Sequence, residues 1–367
     1  MNRYFPKMCP PYCGMEINFR RIKDNPLITY IVSTEVRHVE PKDESYLVKL
    51  ESKPSFVNNN CTLCGECSVA CHVEYPDPFN QNMGLIKAID NLHTMAFPER
   101  YYLNNEHCQK DKCSSCEDVC KYDAINLKAE AETLEIEVRS IILATGWENL
   151  DPVNLPEYSY NQHPDIITQL EMERRSALNG PSKGSILCQS SDKPPQKIAF
   201  VQCAGSRDEN NLPYCSGVCC SASLKQALHA VEVLKNVEVS IHYIDIRVSG
   251  RNEDFLKKVE DHPRIKLIKG KVVGVDPGSN GAEIKLTAEH INSGTKQTTT
   301  ADIVVLAMGL IPSKSPVADI LPESRSYIKP TNLPEKTYMA GCAIQPMDVS
   351  TSTKSATGAV IQAISSR

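Results

Sequence analysis

Eight cysteines between Cys61 and Cys120 constrain this 367-residue chain more than any other feature in it. Cys61, Cys64, Cys67 and Cys71 follow the spacing C-x2-C-x2-C-x3-C, and Cys108, Cys113, Cys116 and Cys120 follow C-x4-C-x2-C-x3-C. The first is the spacing with which a polypeptide wraps a cubane iron–sulfur cluster; the second adds two residues to its first gap. A cubane needs four thiolates converging from different directions. Two-residue gaps in a tight loop bring three sulfurs to one cluster. The fourth cysteine, expected to start a short helix, reaches the other cluster. Crossed ligation therefore predicts one cluster on Cys61, Cys64, Cys67 and Cys120, and another on Cys108, Cys113, Cys116 and Cys71. His72 and Lys121 stand where a proline usually follows, and a long loop, Glu74 to Asn105, separates the runs. Zinc sites favour two C-x-x-C pairs over a triplet plus one. Disulfides do not suit a chain that opens Met1-Asn2-Arg3-Tyr4-Phe5, unlike a secretory leader.

Sixteen cysteines against 6% aromatic residues point to metal and redox chemistry in a reducing compartment. A formal charge of -5 leaves no footprint for nucleic acid or an anionic membrane. No apolar run approaches the ~18 residues of a membrane span. The longest, Ile303 to Ile311, is a buried strand by its length. Any membrane association is expected to be made through partners, and a reducing, cytoplasmic location is expected.

The rest of the chain reads as α/β. A helix is expected over Met15–Lys23, stopped by Asn25-Pro26, with strands over Ile28–Val36, Tyr46–Ser52, Thr133–Val138 and Ser140–Leu143. Asp165–Ala177 has the pattern of an amphipathic helix, and Asn179–Gln196 that of a linker or exposed loop. Lys197–Val201, Ser221–Leu234 and Val237–Ile246 then form a βαβ unit and hence a parallel sheet. Further strands are expected over Ile265–Val275, Ala282–Ala288, Asp302–Met308 and Thr337–Ala340, with a last helix from about Thr351.

Inside that βαβ unit a dinucleotide fold would place G-x-G-x-x-G after the strand. This chain places Cys203 there, and then Cys215, Cys219 and Cys220 just before the helix. Thiols have replaced glycines at the carboxyl end of a strand, where doubly wound sheets bind ligands. A helix N-terminus favours them as thiolates. A third iron–sulfur cluster is expected, with unusual ligation, because adjacent Cys219 and Cys220 cannot share an ordinary ferredoxin loop. A structural or redox-active set of thiols is the plainer alternative.

Flavin signals are weaker. Ile142-Leu143-Ala144-Thr145-Gly146 is a strand and tight turn of the kind that crosses under the adenine side of FAD, and Leu306-Ala307-Met308-Gly309 is its counterpart. Gly341-Cys342, then Met347-Asp348-Val349 and a helix, supply a third piece, with Cys342 where an aspartate is expected; the helix points its positive end at the flavin. Ala144, Thr145, Gly146, Gly309, Gly341, Cys342, Met347, Asp348 and Val349 are thus the candidate FAD contacts. No G-x-G-x-x-G opens the chain, which is therefore expected to lack its first Rossmann unit. Cys9 and Cys13 sit where flavin disulfide reductases carry a redox dithiol. Cys13 lies at a helix start, which lowers a thiol pKa.

Cys203-Ala204-Gly205-Ser206-Arg207-Asp208, Pro213 to Cys220, and Leu224-Lys225-Gln226-Ala227 resemble the HdrA-like flavoproteins, the group of the heterodisulfide reductase A subunits. Phe5 to Gly14 and Gly341 to Val349 narrow the resemblance to the A subunits of quinone-interacting membrane-bound oxidoreductases (QmoA). It implies a thioredoxin-reductase-like flavoprotein with two dinucleotide-binding domains and an inserted two-cluster ferredoxin-like domain. The FAD domain would comprise residues 1–52, 122–180 and 326–367, the insert 53–121, and the second Rossmann-like domain 181–325. It further implies FAD and [4Fe–4S] clusters, ligation of the unusual cluster by Cys203, Cys215, Cys219 and Cys220, and a place for Lys225 near the flavin. A cation there favours anionic reduced flavin; a solvated helix face is the plain alternative. The implied partners are QmoB and QmoC, the other subunits, together with adenylylsulfate reductase, in sulfate reduction or sulfur oxidation. Two rival expectations stand beside this one: a heterodisulfide reductase A subunit that bifurcates electrons to ferredoxin, and a cluster-bearing scaffold without FAD.

Overall fold

A computed structural model describes residues 3–248, 252–278, 283–290, 293–314, 327 and 333–366, excepting the side chain of Cys13. The chain forms two compact units: one built on Pro10–Ser140, the other on the residues up to Cys9 and from Ile141 onward.

The Pro10–Ser140 unit opens with the helix Tyr12–Asp24 and has an antiparallel sheet of Thr34–Pro41, Tyr46–Ser52 and Glu132–Val138, with Tyr46–Ser52 in the middle. Tyr46, Val48 and Leu50 are buried on alternate positions of that strand, the period-two pattern of a sheet with one covered face. The strand expected from Ile28 begins only at Thr34, which pairs with Ser52. Leu27, Ile28, Tyr30 and Ile31 precede it and are exposed, so their apolar character does not mark a strand.

Between Ser52 and Glu132 lies the cysteine-bearing part. Its short helices are Glu66–Ala70 and Ser115–Asp118. Leu63 and Gly65 are both left-handed, with φ 58 and 89, and this turns the first cysteine loop into its helix two residues before Cys67. The fourth cysteine, Cys71, consequently follows the helix instead of starting it. Cys67 and Cys116, the third of each run, are buried among Phe56, Val57, Ile89, Leu103, Ile125 and Leu127. The stretch expected as one long loop contains two small antiparallel pairs, Glu74–Pro76 with Leu85–Lys87 and Ile89–Asp90 with Tyr102–Leu103. Strands of two or three residues are too short for alternation to show in a sequence.

The other unit is organised on a parallel five-stranded sheet in the order Ile166–Thr168, Ile303–Met308, Lys197–Ala204, Glu238–Tyr243, Ile265–Lys269. All six residues of Ile303–Met308 are buried, as its unbroken apolar run requires of an inner parallel strand. The helix Cys219–Val233 packs on the sheet through Leu224, Ala227, Leu228 and Val231. Residues 165–177 are not one helix: Ile166–Thr168 is a strand and Gln169–Arg175 the helix. The β-branched Ile-Ile-Thr run favours the strand, and Thr168 with Glu171 makes a capping box that starts the helix. Residues 179–196 are not simply exposed, since Ile186 and Cys188 are buried in the core. Ile265–Val275 breaks at Gly270 into Ile265–Lys269 and Lys271–Asp276, the latter leading an antiparallel sheet with Ile284–Glu289 and Lys296–Ala301. Among the described residues no helix is long and apolar enough to cross a membrane.

His242, 1% exposed, has Nε2 3.3 Å from Thr299 Oγ1. Burial pushes its pKa down to about 4. The folded state thus keeps the imidazole neutral while the unfolded chain takes up a proton near pH 6.5. Stability therefore falls as pH drops from about 6.5 toward 4. In urea unfolding at pH 7 and pH 4.5, His242→Gln should lose less stability between the two pH values than the parent, the full effect being on the order of 3 kcal/mol. Equal losses in the two proteins would refute this.

Candidate metal centres and cofactor segments

Cys61, Cys64, Cys67 and Cys120 line one cavity, together with Tyr101, Tyr122 and Ile125. The Ala124 N–H donates to Cys120 Sγ at 3.4 Å. Cys71 keeps the company of the other run: Cys116 feels the charges of Cys108 and Cys71, and Cys108 those of Cys71 and Cys113. Cys67 feels Cys61, Cys116 and Cys64. The tertiary structure thus brings the fourth thiol of each run to the triplet of the other.

Burial pushes the Cys67 thiol up to about 12 and Cys116 up to about 11, and raises Cys108. Cys113, bonded to Ser115 Oγ at 3.4 Å, is lowered. A thiol so buried gives a thiolate only against a cation, and a coordinating metal deprotonates it outright. No group of three or more His, Cys, Asp or Glu side chains among the described residues is arranged to hold a single metal ion. A zinc site draws every sulfur to about 2.3 Å from one centre, whereas a cubane spreads its thiolates over four irons. The four thiols lining one cavity have the donor chemistry that a cubane requires.

In the other unit Cys203 ends the strand Lys197–Ala204, and Cys219 and Cys220 begin the helix Cys219–Val233. Cys219 feels Cys220, Cys203 and Cys215, so the four thiols come together. The turn beneath them is strained. Register slips between Val201 and Ala204, and Cys203, Gly205 and Arg207 have φ 58, 72 and 54. Two non-glycine residues in the left-handed region cost about 1–2 kcal/mol each, and such strain concentrates at functional sites. Gly205 is required twice over, since a β-carbon there would strike Leu150.

The loop is pinned by residues that sequence reasoning did not single out. The buried Ser216 hydroxyl pairs with Ser206 Oγ at 2.8 Å and accepts the Leu310 N–H at 2.9 Å; the Tyr214 hydroxyl donates to the Leu310 carbonyl at 2.9 Å. Arg207 donates to the Cys203 thiol and forms an ion pair with Asp245, which also meets Arg247 at 3.4 Å. An open cavity of ≈ 280 Å³ lies beside Cys215, lined by Arg207, Asp208, Glu209, Pro213 and Arg247.

Of the thiols at this helix start, Cys220 is lowered, by specific hydrogen bonds to it. Cys219 and the Arg247 backbone N–H donate to it and lower it to about 7. Cys219 is held protonated by that bond and by burial, and burial pushes Cys203 up to about 11.

The candidate FAD segments fall into two groups. Ile141–Leu143 pairs in parallel with Thr337–Met339, and the Ala340 N–H donates to the Leu143 carbonyl at 2.9 Å. Gly146 has φ 81 and open space where a side chain would stand. The Gly341 N–H already donates to Ser355 Oγ at 3.0 Å, and Cys342 Sγ donates to the Met347 carbonyl at 3.3 Å. Asp348 caps the helix Val349–Ser365 by accepting the Thr351 N–H at 2.7 Å, so a carboxylate already takes part of its positive end. Gly309 lies in a tighter setting: a β-carbon on it would lie 2.6 Å from Leu212 Cδ1 and 2.7 Å from Ser206 Oγ, so packing requires glycine there. Trp147–Asn149 and Leu310–Pro312, which follow the two expected flavin turns, pair with each other as an antiparallel ribbon. These segments are the candidates for one flank of a dinucleotide site.

Lys225 is buried, which removes the solvated-face alternative. Its Nζ lies 2.6 Å from both oxygens of Glu173 and 3.0 Å from the Arg3 carbonyl. Gln226 Nε2 donates to the same carboxylate at 2.9 Å. Cys9 is exposed; its expected partner, Cys13, has its side chain outside the described residues. Cys188 is buried and pushed up to about 11, an inert packing thiol.

No protein-family model matches the chain. Among curated proteins it is 32% identical to the A subunit of the H(2):CoB-CoM heterodisulfide,ferredoxin reductase of Methanothermobacter marburgensis, over 99% of this chain and 57% of that one. The chain is homologous to the A subunits of CoB-CoM heterodisulfide reductase. The relation extends at 30% identity to a second such protein, an iron-sulfur A subunit of the CoB--CoM heterodisulfide reductase of Methanopyrus kandleri, over 88% of this chain and 49% of that one. The chain thus spans about half the length of these heterodisulfide reductase A subunits. Among solved structures, Lactococcus lactis thioredoxin reductase is 13% identical with a TM-score of 0.40, over 64% of this chain and 67% of that one, a likeness too weak to bear on function.

Proposed function

We propose that this chain is an electron-transfer part of a multi-subunit oxidoreductase. Cys61, Cys64, Cys67 and Cys120 would hold one [4Fe–4S] cluster, and Cys108, Cys113, Cys116 and Cys71 a second. Cys203, Cys215, Cys219 and Cys220 would hold a third, close to a flank that meets FAD. When bound, the clusters and flavin supply single-electron relay and its exchange with electron pairs. The chain's own residues orient and enclose these groups: Ser206, Ser216 and Tyr214 pin the third thiol loop, and Arg207 and the Arg247 N–H donate to its sulfurs.

One observation supports coupling of the third site to the flavin flank. A β-carbon on Gly217, between Cys215 and Cys219, would lie 3.6 Å from the Pro346 carbonyl. The thiol loop therefore abuts the segment Gly341–Val349, whose Gly341, Cys342, Met347, Asp348 and Val349 we take, with Ala144, Thr145, Gly146 and Gly309, as the FAD candidates. In this reading residues 1–52, 122–180 and 326–367 serve the flavin, 53–121 is the ferredoxin-like insert, and 181–325 is the second Rossmann-like domain.

The partners we infer are QmoB, QmoC and adenylylsulfate reductase, with membrane contact only through the other subunits. A second reading, an A subunit of a heterodisulfide-reducing complex, has the names of the curated relatives behind it. Anaerobic affinity purification from the native cell separates them. Recovery with quinone-linked subunits supports the first, and recovery with a heterodisulfide-reducing partner alone overturns it. In the same material about twelve irons per chain and flavin bands that persist after cluster removal are expected. Zinc in place of iron would overturn the cluster reading, and a chain with iron but no flavin would leave only the scaffold.

A further inference from the structure

We propose that Arg207 is a positioning residue that raises the electron affinity of the group held by Cys203, Cys215, Cys219 and Cys220. The inference rests on the third cluster proposed above and goes beyond it, because it concerns what sets that cluster's potential. Arg207 lies in the strained turn that carries Cys203, with its own φ at 54. The guanidinium donates to the Cys203 thiol and lines, together with Cys215, the open cavity beside it. Asp245 holds the guanidinium from its far side, and Arg247 in turn meets Asp245, so the carboxylate is shared between two cations. The next carboxylate, Asp208, is engaged by Lys271 at 3.0 Å. Arg207 is the cation whose charge acts on the Cys203 sulfur, within a set of side chains that also includes the carboxylates Asp245, Asp208 and Glu209.

Adding an electron to an iron–sulfur cluster adds negative charge to its sulfurs. A cation and an N–H donor at a ligand sulfur stabilise the reduced form more than the oxidised one, and net charge, hydrogen bonds and solvent exposure are what set such potentials. The effect is strong here because Cys203 is buried, 6% exposed, and the interaction is weakly screened. Arg207 itself is partly exposed through the cavity beside Cys215, and this moderates it. The clusters of the other unit serve as internal references within the same molecule.

The test uses the full chain, reconstituted anaerobically, with each cluster's one-electron reduction followed by EPR during a dithionite titration with mediator dyes. Arg207→Gln should weaken the reduction equilibrium of the third cluster on the order of tenfold, which is about 59 mV for one electron. The two ferredoxin-like clusters should not move. Arg207→Lys keeps the charge and should retain most of the parent potential. An Arg207→Gln protein with its third cluster intact and its potential unchanged would overturn the proposal alone, as would an equal shift in Arg207→Lys. A parent protein with only the two ferredoxin-like clusters would instead overturn the reading beneath it. Should Arg207→Gln lose the cluster altogether, Asp245→Asn, which leaves Arg207 in place and removes its counter-charge, should raise the potential of the third cluster, and an unchanged potential there would overturn the proposal.

Discussion

Cys120→Ala loses the cluster of the first cysteine run, not of its own. Cys120 lines the cavity of Cys61, Cys64 and Cys67, while Cys71 keeps company with Cys108, Cys113 and Cys116. With three clusters in the parent, EPR intensity of reduced [4Fe–4S] should fall by about a third. Pairwise combination identifies which cluster went. Cys64→Ala added to Cys120→Ala should remove no further signal, because both residues serve one cluster. Cys113→Ala added to Cys120→Ala should remove another third. Effects within one unit are non-additive and those in separate units add. If the Cys113 double variant matched the single, ligation would be local to each run and the crossed arrangement would be wrong. A loss of folding in the Pro10–Ser140 unit should accompany the double loss. That core contains Cys67 and Cys116 as buried members, and the binding energy of metal at such sites is folding energy.

The second large effect is at Glu173. Replacing it by Leu leaves the Lys225 ammonium buried, with the Arg3 carbonyl 3.0 Å away and no carboxylate. Removing one partner of a buried pair costs about 3–5 kcal/mol, because the remaining charge has lost both water and counter-charge. Replacing both by apolar residues, Glu173→Leu with Lys225→Met, should recover most of it, since burying the pair offset much of its own attraction. Urea unfolding at pH 7 checks both. Equal stability of parent and single variant would show that Lys225 reaches water. If Lys225 also serves the flavin, the double variant separates the roles, refolding without restoring flavin reduction.

Much of this arrangement is legible in the residue order. The unbroken apolar run Ile303–Met308 and the βαβ pattern around Lys197 and Glu238 announce a parallel sheet, because burial on both faces leaves no room for polar alternation. The misreadings have equally local causes. Ile166–Thr168 is hidden inside a helical pattern because three residues are too few to establish a period. Ile28–Ile31 look like a strand by composition, yet the register set by Thr34 and Ser52 excludes them.

The residue order alone determined that thiols would stand in triplets on tight loops and that four more would gather at one strand-to-helix junction. Those are properties of neighbours a few residues apart, which short-range geometry dictates. Only the tertiary structure decided which carboxylate receives Lys225, and that Arg207 bonds the Cys203 thiol and pairs with Asp245. Apart from the Arg207–Cys203 bond, these pairings link residues tens of positions apart. Their partners are selected by packing and desolvation over the folded chain, which no local spacing encodes.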